Sequence, residues 1–517
     1  MIKKITEVLV MSCLFLPFSA VPADEPALGS ISFPNSAAEK AQPAFLTGVK
    51  ALHSFQFDEA RFAFEEAQAL DPSFALAYWG EAMSYNHPLW AQQDSDAATS
   101  ALNRLAPAAE ARLAKAPTEK EKAFLSAVEI LYYSPGDKLA RDKAYSNFLA
   151  GMHERWPDDD EIAIFYSLSL LGTVRPGDRG FRRQAQAAAI AEEVFNKNPN
   201  HPGAAHFIIH SFDDPDHAIL ALPAARVYAG IAPAAAHALH MPSHIFLQLG
   251  MWQDVVNSNI DAYAAAIAVN QKYGLAEGRE DFHTLSWLAY ANLMLGHYDR
   301  AEENLSGASA ALERNPNSRA VHNGYLDMRG RHLIETGRWE NLPLAAEDSV
   351  EGSHANWVAV VGMSAAQRGD TDLALAVEAR LRSLGEKSEA AGSTYDARQS
   401  EILAHEVAAV RWLKSGDSDR AVMAAKTAAD MEYQYMRMPS GPPKPIKPAG
   451  ELYGNVLLEA GRPEEAMAAF EESLQWIPLR TPSLRGLAEA AEQSGDGEMA
   501  KSIYTKLLNM PGAAQQR

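Results

Sequence analysis

Histidines are concentrated in one short stretch of this 517-residue chain. Seven of the sixteen histidines lie between positions 201 and 244, and two pairs among them share one spacing. His206 and His210 are four residues apart, and His240 and His244 repeat the pair 34 residues later. Because residues four apart lie on one face of a helix, each pair would present two imidazoles in the same direction. Such rings can bind a transition metal through their nitrogens.

Further ligand-type side chains lie in or near the same stretch. His237 precedes the second pair, Asp213 follows the first, and His283 lies further along the chain. A nitrogen-rich set with a carboxylate and without sulfur suits zinc, copper or iron better than calcium. The candidate metal ligands are therefore His206, His210, His237, His240, His244, His283 and Asp213.

The first pair does not indicate a zincin protease. His206 and His210 have the spacing of the two histidines in the zincin motif, but Phe207 stands where that motif needs a glutamate. Without this general base, the segment predicts metal binding and no peptide hydrolysis. Whether the protein is an enzyme stays open at this point.

The elements that would position these side chains follow a 34-residue period. With Gly48 at the eighth position of a unit, Ala60, Phe64, Ala67 and Pro72 occupy positions 20, 24, 27 and 32. Small residues let two helices approach closely, the aromatic ring fills the gap beside them, and the proline ends the second helix. The same spacing recurs near the other end of the chain, at Gly454, Ala466, Phe470, Ser473 and Pro478.

This pattern resembles the tetratricopeptide-repeat (TPR) family. The resemblance implies an all-α fold, a TPR-like superhelical solenoid of antiparallel helix pairs, with roughly eight to ten repeats. It also implies that certain positions of each first helix line a concave groove, and the two histidine pairs map to such positions. Other candidate contacts to a ligand in the groove are Trp79, His87, His201 and Asp214.

A narrower resemblance rests on the segment from His237 to Phe246, which contains a His-x-x-His-Met-Pro-Ser-His sequence. This segment looks like part of an exported bacterial TPR family, as do the residues around Tyr78 and Lys447. The resemblance implies a shared architecture and supplies no reaction.

Charge and composition exclude several functions. The chain has 66 acidic and 46 basic residues, a net charge of −20, which disfavours nucleic acid as a partner. Cys13 is the only cysteine, and it lies in the predicted leader, so disulfides and thiolate chemistry are not expected in the mature protein. Glycine-rich nucleotide-binding motifs and a hydrolase Gly-x-Ser-x-Gly motif are also absent from the sequence.

The beginning of the chain has the features of an export signal. Lys3 and Lys4 precede an apolar stretch, and Val21-Pro22-Ala23 has the small-residue pattern of a cleavage site. We therefore expect a periplasmic or secreted protein without stable membrane insertion. The predicted parts are a signal peptide (1–23), a mature N-terminal tail (24–40), a helical solenoid (41–436, irregular over 88–160), a proline-rich linker (437–449) and C-terminal TPR repeats (450–512).

Two functional hypotheses follow. The first is an exported TPR scaffold that binds a peptide or protein partner in its concave groove, with a histidine-rich metal site. The alternative is a transition-metal-binding protein or metalloenzyme that uses the groove histidines. Two other roles for the histidines stay open, namely hydrogen bonds to a peptide and purely structural contacts copied by repeat duplication. The proline-rich segment either joins the last repeats to the body or folds across the groove.

Overall fold

Helix follows helix along the chain, as the sequence predicts. A computed structural model describes residues 27–175, 180–436 and 439–512, and their regular secondary structure is almost entirely α-helical. Consecutive helices pack against each other as antiparallel neighbours, which is the arrangement of a solenoid. The predicted signal peptide lies outside the described residues. None of the described helices combines the length and the apolar character that a membrane-spanning helix needs.

The N-terminal part includes the region of poor periodicity. A 3₁₀ helix (Pro88–Trp90) sits there between two short antiparallel strands, β1 (Asn86–His87) and β2 (Gln92–Gln93). A further 3₁₀ helix spans Glu39–Ala41. The α-helices of this part are α1 (Gln42–His53), α2 (Phe57–Leu70), α3 (Ala75–Ser84), α4 (Ser95–Leu105), α5 (Ala109–Leu113), α6 (Glu119–Tyr133), α7 (Lys138–Arg155), α8 (Asp160–Gly172) and α9 (Arg182–Lys197).

The middle part carries the histidine-rich stretch. Its helices are α10 (Pro202–Ser211), α11 (Ala218–Ile231), α12 (Ala236–His240), α13 (Pro242–Gln248), α14 (Trp252–Tyr273), α15 (Glu280–Met294), α16 (Tyr298–Arg314) and α17 (Arg319–Thr336). Met241, between α12 and α13, keeps helical dihedral angles of −54° and −35°. Pro242 therefore starts α13 without an extended break, since proline is tolerated in the first turn of a helix.

The C-terminal part contains α18 (Val350–Ser353), α19 (Ala355–Gln367), α20 (Thr371–Ala390), α21 (Thr394–Lys414), α22 (Ser418–Tyr435), α23 (Ala449–Glu459), α24 (Pro463–Trp476), α25 (Thr481–Ser494) and α26 (Gly497–Leu508). The described residues hold 26 α-helices, of which α5, α12 and α18 have five residues or fewer. Residues 88–160 contain four of these helices, α4 to α7, although this region lacks the 34-residue pattern.

The aromatic ring of a repeat packs between glycines, as its spacing predicts. Phe64 on α2 lies between Gly48 on α1 and Gly80 on α3, and a Cβ atom on these glycines would approach the ring to 2.7 and 2.3 Å. Phe470 has the same relationship to Gly454 and Gly486. The glycines therefore allow three successive helices to close around one ring.

The two helices of a pair differ in burial. Nine of the ten residues of α10 are buried, against six of fourteen in α11. Twelve of the fifteen residues of α15 are buried, against three of seventeen in α16. In both pairs the first helix is largely buried, and the second has one face in water. Most of the candidate ligands on α10, α12, α13 and α15 consequently lie inside the protein, and His283 lies on the exposed side of α15.

The C-terminal repeats close back onto the middle of the solenoid. The Trp252 indole N–H donates to the carbonyl oxygen of Leu479 at 3.1 Å, and the Thr481 hydroxyl donates to the carbonyl oxygen of Met294 at 2.7 Å. Between them, the fully buried Arg480 pairs with Glu451 at 2.7 Å. The first two contacts connect residues 227 and 187 positions apart, and they hold the solenoid in a closed turn.

The segment predicted as an N-terminal tail is packed in its described part. Leu28 and Phe33 are buried in the core, and the amide of Ser30 donates to the carbonyl oxygen of Asn200 at 2.9 Å. The prediction of a tail is corrected for residues 27–40. Because both apolar side chains find a surface on the helices, the segment is held although it lacks regular structure before residue 39.

Candidate metal centre

Three histidines form a cluster that we call the first triad: His206, His210 and His237. One ring nitrogen of each lies within 4.8 Å of those of the other two. His206 and His210 come from successive turns of α10, and His237 comes from α12 in the next repeat. The Nε2 atoms of all three rings are buried without a hydrogen-bond partner. Three unsatisfied nitrogens at one point are unusual, because buried polar groups are normally hydrogen-bonded.

Hydrogen bonds on the far side of two rings determine which nitrogen faces the cluster. His206 Nδ1 donates to the main-chain oxygen of His53 at 2.7 Å, and His237 Nδ1 donates to Glu280 at 3.1 Å. Since both acceptors are oxygens that carry no proton, Nδ1 carries the hydrogen and Nε2 carries the lone pair. A histidine that binds a metal usually has its other ring nitrogen hydrogen-bonded in this way.

A second triad consists of His240, His244 and His283. The Nε2 atom of His240 lies 3.1 Å from that of His244 and 2.9 Å from that of His283. Nitrogen ligands of a tetrahedral zinc ion at about 2.0–2.1 Å lie roughly 3.3 Å apart. The separations of the three nitrogens are therefore close to those of a metal-binding site. His240 is buried, and His283 is open to solvent.

Two rings of the second triad are also held by hydrogen bonds from Nδ1 to acceptors outside the triad. His240 Nδ1 donates to Asn259 Oδ1, and His244 Nδ1 donates to Asp213 Oδ2, both at 2.7 Å. The amide group of Asn259 donates to the carbonyl oxygen of Val255, so its oxygen is the atom that faces His240. Both Nε2 atoms therefore carry lone pairs that point at each other. A bound cation would replace this repulsion with attraction.

The two triads are neighbours. Ring centroids lie 6.1 Å apart between His210 and His244, and also between His237 and His240. Trp287 covers the second triad, with its ring centroid 4.4 Å from that of His244. The six rings thus form one continuous cluster with two points of convergence.

Burial keeps several of these rings neutral. It lowers the pKa of His206, His210 and His240 well below the usual value of 6.5, and neighbouring histidines lower each pKa further. A metal binds the unprotonated ring. Because the pKa of these histidines is lowered, little free energy is needed to deprotonate them near neutral pH.

A third cluster, formed by His53, His201 and Glu161, has a different character. His53 Nε2 and His201 Nε2 donate to the two oxygens of Glu161 at 2.8 and 3.2 Å. Burial alone would raise the pKa of Glu161, but the two histidines outweigh this effect and lower the pKa to about 2. Since both rings direct N–H groups at one carboxylate, the cluster is a buried hydrogen-bond network that supports the first triad through the carbonyl group of His53.

Comparison with known proteins supports the repeat architecture. A tetratricopeptide-repeat family model matches residues 451–478, which span most of α23 and α24. These residues form a tetratricopeptide repeat. No curated protein sequence matches the chain.

Several solved structures are similar to the chain at low sequence identity. The human IFIT1 dimer with m7Gppp-AAAA is 14% identical, with 93% of this chain and 91% of that chain covered and a TM-score of 0.33. Yeast Tom70 is 12% identical over 91% and 92% of the two chains, with a TM-score of 0.33. The P58(IPK) TPR domain is 12% identical over 89% and 99%, with a TM-score of 0.21. At these identities and TM-scores, the likenesses carry no conclusion about a ligand or partner of this chain.

The structure regroups the predicted metal ligands. The sequence put all seven candidate ligands in one set, whereas the structure divides the six histidines between two triads, with His237 beside the first pair and His283 beside the second. Asp213 belongs to neither triad and instead accepts a hydrogen bond from His244. Its predicted role as a ligand is corrected to that of a supporting acceptor.

Two of the predicted groove contacts are core residues instead. Trp79 is only 1% exposed and packs edge-on against Phe33 and Phe124. His201 is equally buried, in the Glu161 network. The prediction was wrong for both, because a position on a repeat helix gives the direction of a side chain but not what covers it. Here the packed N-terminal segment and α6 cover α3.

The other two predicted contacts lie near turns. His87 is half-buried and stacks on Phe57, with ring centroids 4.1 Å apart. Asp214 accepts hydrogen bonds from the amide of Asp216 and from the amide and ring of His217. Asp214 therefore stabilises the turn between α10 and α11, and the structure gives it no contact to either triad.

Sequence reasoning missed Glu280 and Asn259, which orient two of the six rings. Glu280 lies three residues before His283 on α15, and this spacing could have indicated a carboxylate beside the cluster. Burial raises the pKa of Glu280, but the neighbouring His237 outweighs it and lowers the pKa to about 2. Glu280 is therefore ionised and brings negative charge to the cluster. Asn259 carries no such signal in the sequence.

Proposed function

We propose that this chain is a transition-metal protein that holds two ions side by side, one in each histidine triad. The observation that carries the proposal is the set of buried, unpartnered Nε2 atoms of His206, His210 and His237. An unsatisfied buried polar atom costs about 1–3 kcal/mol. Three such atoms within one small cluster are best explained by a cation that satisfies all of them together.

The ligand chemistry limits which ions fit. Six neutral imidazoles suit zinc, copper or iron, and copper(II) has the highest intrinsic affinity of the divalent series for nitrogen sites. Three protein ligands leave one coordination position free at each ion, which is the arrangement of catalytic rather than structural zinc sites. The free positions of two neighbouring ions would allow a water molecule or a substrate to bind between them.

The first test is the metal content of the mature protein, purified without an affinity tag. We expect two equivalents of a transition metal in the wild type. His210→Ala and His283→Ala remove one ligand from the first and the second triad, and each should lower the content to about one equivalent. His322→Ala, a histidine paired with Glu351 away from the triads, is the matched control and should retain both ions.

A low metal content could mean that a site is absent or that its metal was lost during purification. Zinc titration of the protein after chelator treatment distinguishes these two cases. Two saturable sites in the wild type, with one abolished in each triad variant, would support the proposal. Failure of the folded wild type to take up zinc, copper(II) or iron(II) under these conditions would overturn it. Circular dichroism of every variant checks that a lost site is not a lost fold.

A binding function fits the same architecture. TPR folds commonly present an inner surface to a peptide or protein, and the exposed ring of His283 on the second triad is accessible to such a partner. A histidine or a carboxylate of a partner could occupy the free position at the second ion. Capture of the same peptide by the wild type and by His283→Ala would favour a scaffold that does not depend on metal.

The proposal includes export of the protein from the cytoplasm. The signal-like residues 1–23 support a periplasmic or secreted location, where the mature chain would acquire metal without competing cysteines of its own. Fractionation of the native host followed by determination of the mature N-terminus tests this part. A start at Asp24 in an extracytoplasmic fraction is the expected result.

A further inference from the structure

The described residues of the proline-rich segment lie against the inner helices beside the second triad. We call residues 439–448 the strap. Gln248 on α13 donates to the carbonyl oxygen of Pro439 at 2.5 Å, and Arg331 on α17 donates to that of Pro443 at 2.8 Å. The sequence left open whether this segment joins the last repeats to the body or folds across the groove. These hydrogen bonds show that the strap crosses the inner surface.

Apolar contacts at two further residues of the strap add to these hydrogen bonds. Gly441 lies on the ring of Trp287, and a Cβ atom at this position would approach the ring to 2.7 Å. Ile446 is fully buried and packs against Gly330 of α17. Because Trp287 also packs on His244, one aromatic ring separates the strap from a candidate ligand.

Gln248 joins the strap to the second triad through hydrogen bonds. Its amide nitrogen donates to Pro439 and also to Asp213 Oδ1 at 3.3 Å. The other oxygen of Asp213 accepts from His244 Nδ1 at 2.7 Å. A continuous path thus runs from the main chain of the strap through one glutamine and one carboxylate to a ring whose Nε2 faces the triad.

We propose that Gln248 is a positioning residue that couples the strap to ion binding at the second triad. This inference rests on the proposed function. A cation on His244 Nε2 makes its Nδ1–H a stronger donor, which holds Asp213 and, through it, the amide of Gln248. The coupling is reciprocal, so a seated strap raises the affinity of the second site for its ion. The strap thus acts as a closure over the second ion and leaves the first site unaffected.

Hydrogen–deuterium exchange of the full-length mature chain tests the coupling, with zinc as the probe. We compare the chelator-treated protein with protein holding two equivalents of zinc, and follow the peptide that contains the strap. Zinc should slow exchange in the wild-type strap about tenfold, within the usual range of such couplings. In Gln248→Ala this slowing should disappear, and affinity for the second zinc should fall about 10–100-fold while the first is unchanged.

The matched control is Gln271→Ala, an exposed glutamine on α14, which should behave as the wild type. Two bound zinc ions with the same strap exchange as the chelator-treated protein would overturn the coupling and leave the proposed function intact. Normal second-site affinity in Gln248→Ala would likewise overturn it, since Gln248 would then only hold the strap. Absence of zinc binding by the folded wild type would overturn both proposals.

Discussion

His206 donates a hydrogen bond from Nδ1 to the main-chain oxygen of His53, which lies 153 residues earlier in the chain, at 2.7 Å. This bond turns the Nε2 lone pair of His206 toward His210 and His237. The ring of His53 in turn donates to Glu161, so the acceptor is itself held in place. The first triad is therefore oriented by a repeat that contributes no ligand to it.

Glu280 should raise the affinity of the first triad for its ion by orienting His237, without being a ligand itself. In Glu280→Ala, His237 loses the acceptor for Nδ1–H, and the ring becomes free to rotate away from the triad. We expect affinity for one of two zinc ions to fall about 10–100-fold in a calorimetric titration. Glu277→Ala is the control, because Glu277 pairs with Arg314. Equal affinities in the two variants would contradict an orienting role for Glu280.

Arg480 should hold the closed turn of the solenoid together. Its buried guanidinium group bonds Glu451, Glu335 and the hydroxyl of Tyr290. Arg480→Ala leaves two buried carboxylates without this partner, and breaking such a pair costs about 3–5 kcal/mol. We expect a large drop in the urea midpoint, measured by circular dichroism in the presence of a chelator so that metal binding does not contribute.

The surface pair of Arg462 and Glu465 provides the comparison for Arg480. Arg462 is well exposed, so Arg462→Ala should change stability by less than about 1 kcal/mol. Similar urea midpoints for Arg480→Ala and Arg462→Ala would mean that the buried network does not stabilise the closed turn.

Glu406 should make the protein less stable as the pH rises. Both of its carboxylate oxygens are buried without a hydrogen-bond partner, and burial and the nearby Glu432 raise its pKa well above the ordinary value, against the opposing effect of Lys447. Burial also raises the pKa of Glu432 to about 7, against the opposing hydrogen bonds of two backbone amides, and Glu451 adds a smaller rise. The native state then holds protons that the unfolded state releases above pH about 4.5, so stability falls from there through pH 7.

Glu406→Gln removes the group that resists ionisation. We expect this variant to be more stable than the wild type at pH 8 by about 1–3 kcal/mol and to differ less at pH 5. Thermal unfolding at a series of pH values measures both effects. Glu489→Gln, at an exposed position of α25, should leave the pH profile unchanged. A parallel profile for Glu406→Gln and wild type would show that Glu406 is not the source of the pH dependence.

Gly80 should tolerate no side chain. A Cβ atom there would lie 2.3 Å from the ring of Phe64, so Gly80→Ala must displace the ring or a helix at a cost of about 1–3 kcal/mol. At Gly151 on α7 a Cβ atom meets nothing within 4 Å, and Gly151→Ala should stabilise the helix by about 0.5–1 kcal/mol. Urea midpoints that shift in opposite directions are the expected result, and a gain for Gly80→Ala would contradict the packing of Phe64.

The repeat register could be predicted from the sequence because it depends on local steric rules. Phe64 needs small residues at fixed distances on both sides, and the chain supplies Gly48 and Gly80 there. The ligand types could be predicted for the same reason, since His206 and His210 share a helical face whatever surrounds the helix. What covers a helix is not a local property, and the predictions for Trp79 and His201 failed on this point.

The sequence by itself determined an all-helical repeat chain and the six histidines that face inward from its first helices. Only the tertiary structure decided how these histidines group. The division into two triads depends on how α10, α12, α13 and α15 are placed relative to one another. It also decided which ring nitrogens face inward, through acceptors such as Asn259, Asp213 and Glu280. Such contacts join residues from different repeats, and their geometry follows from the curvature of the stack, which no single repeat encodes.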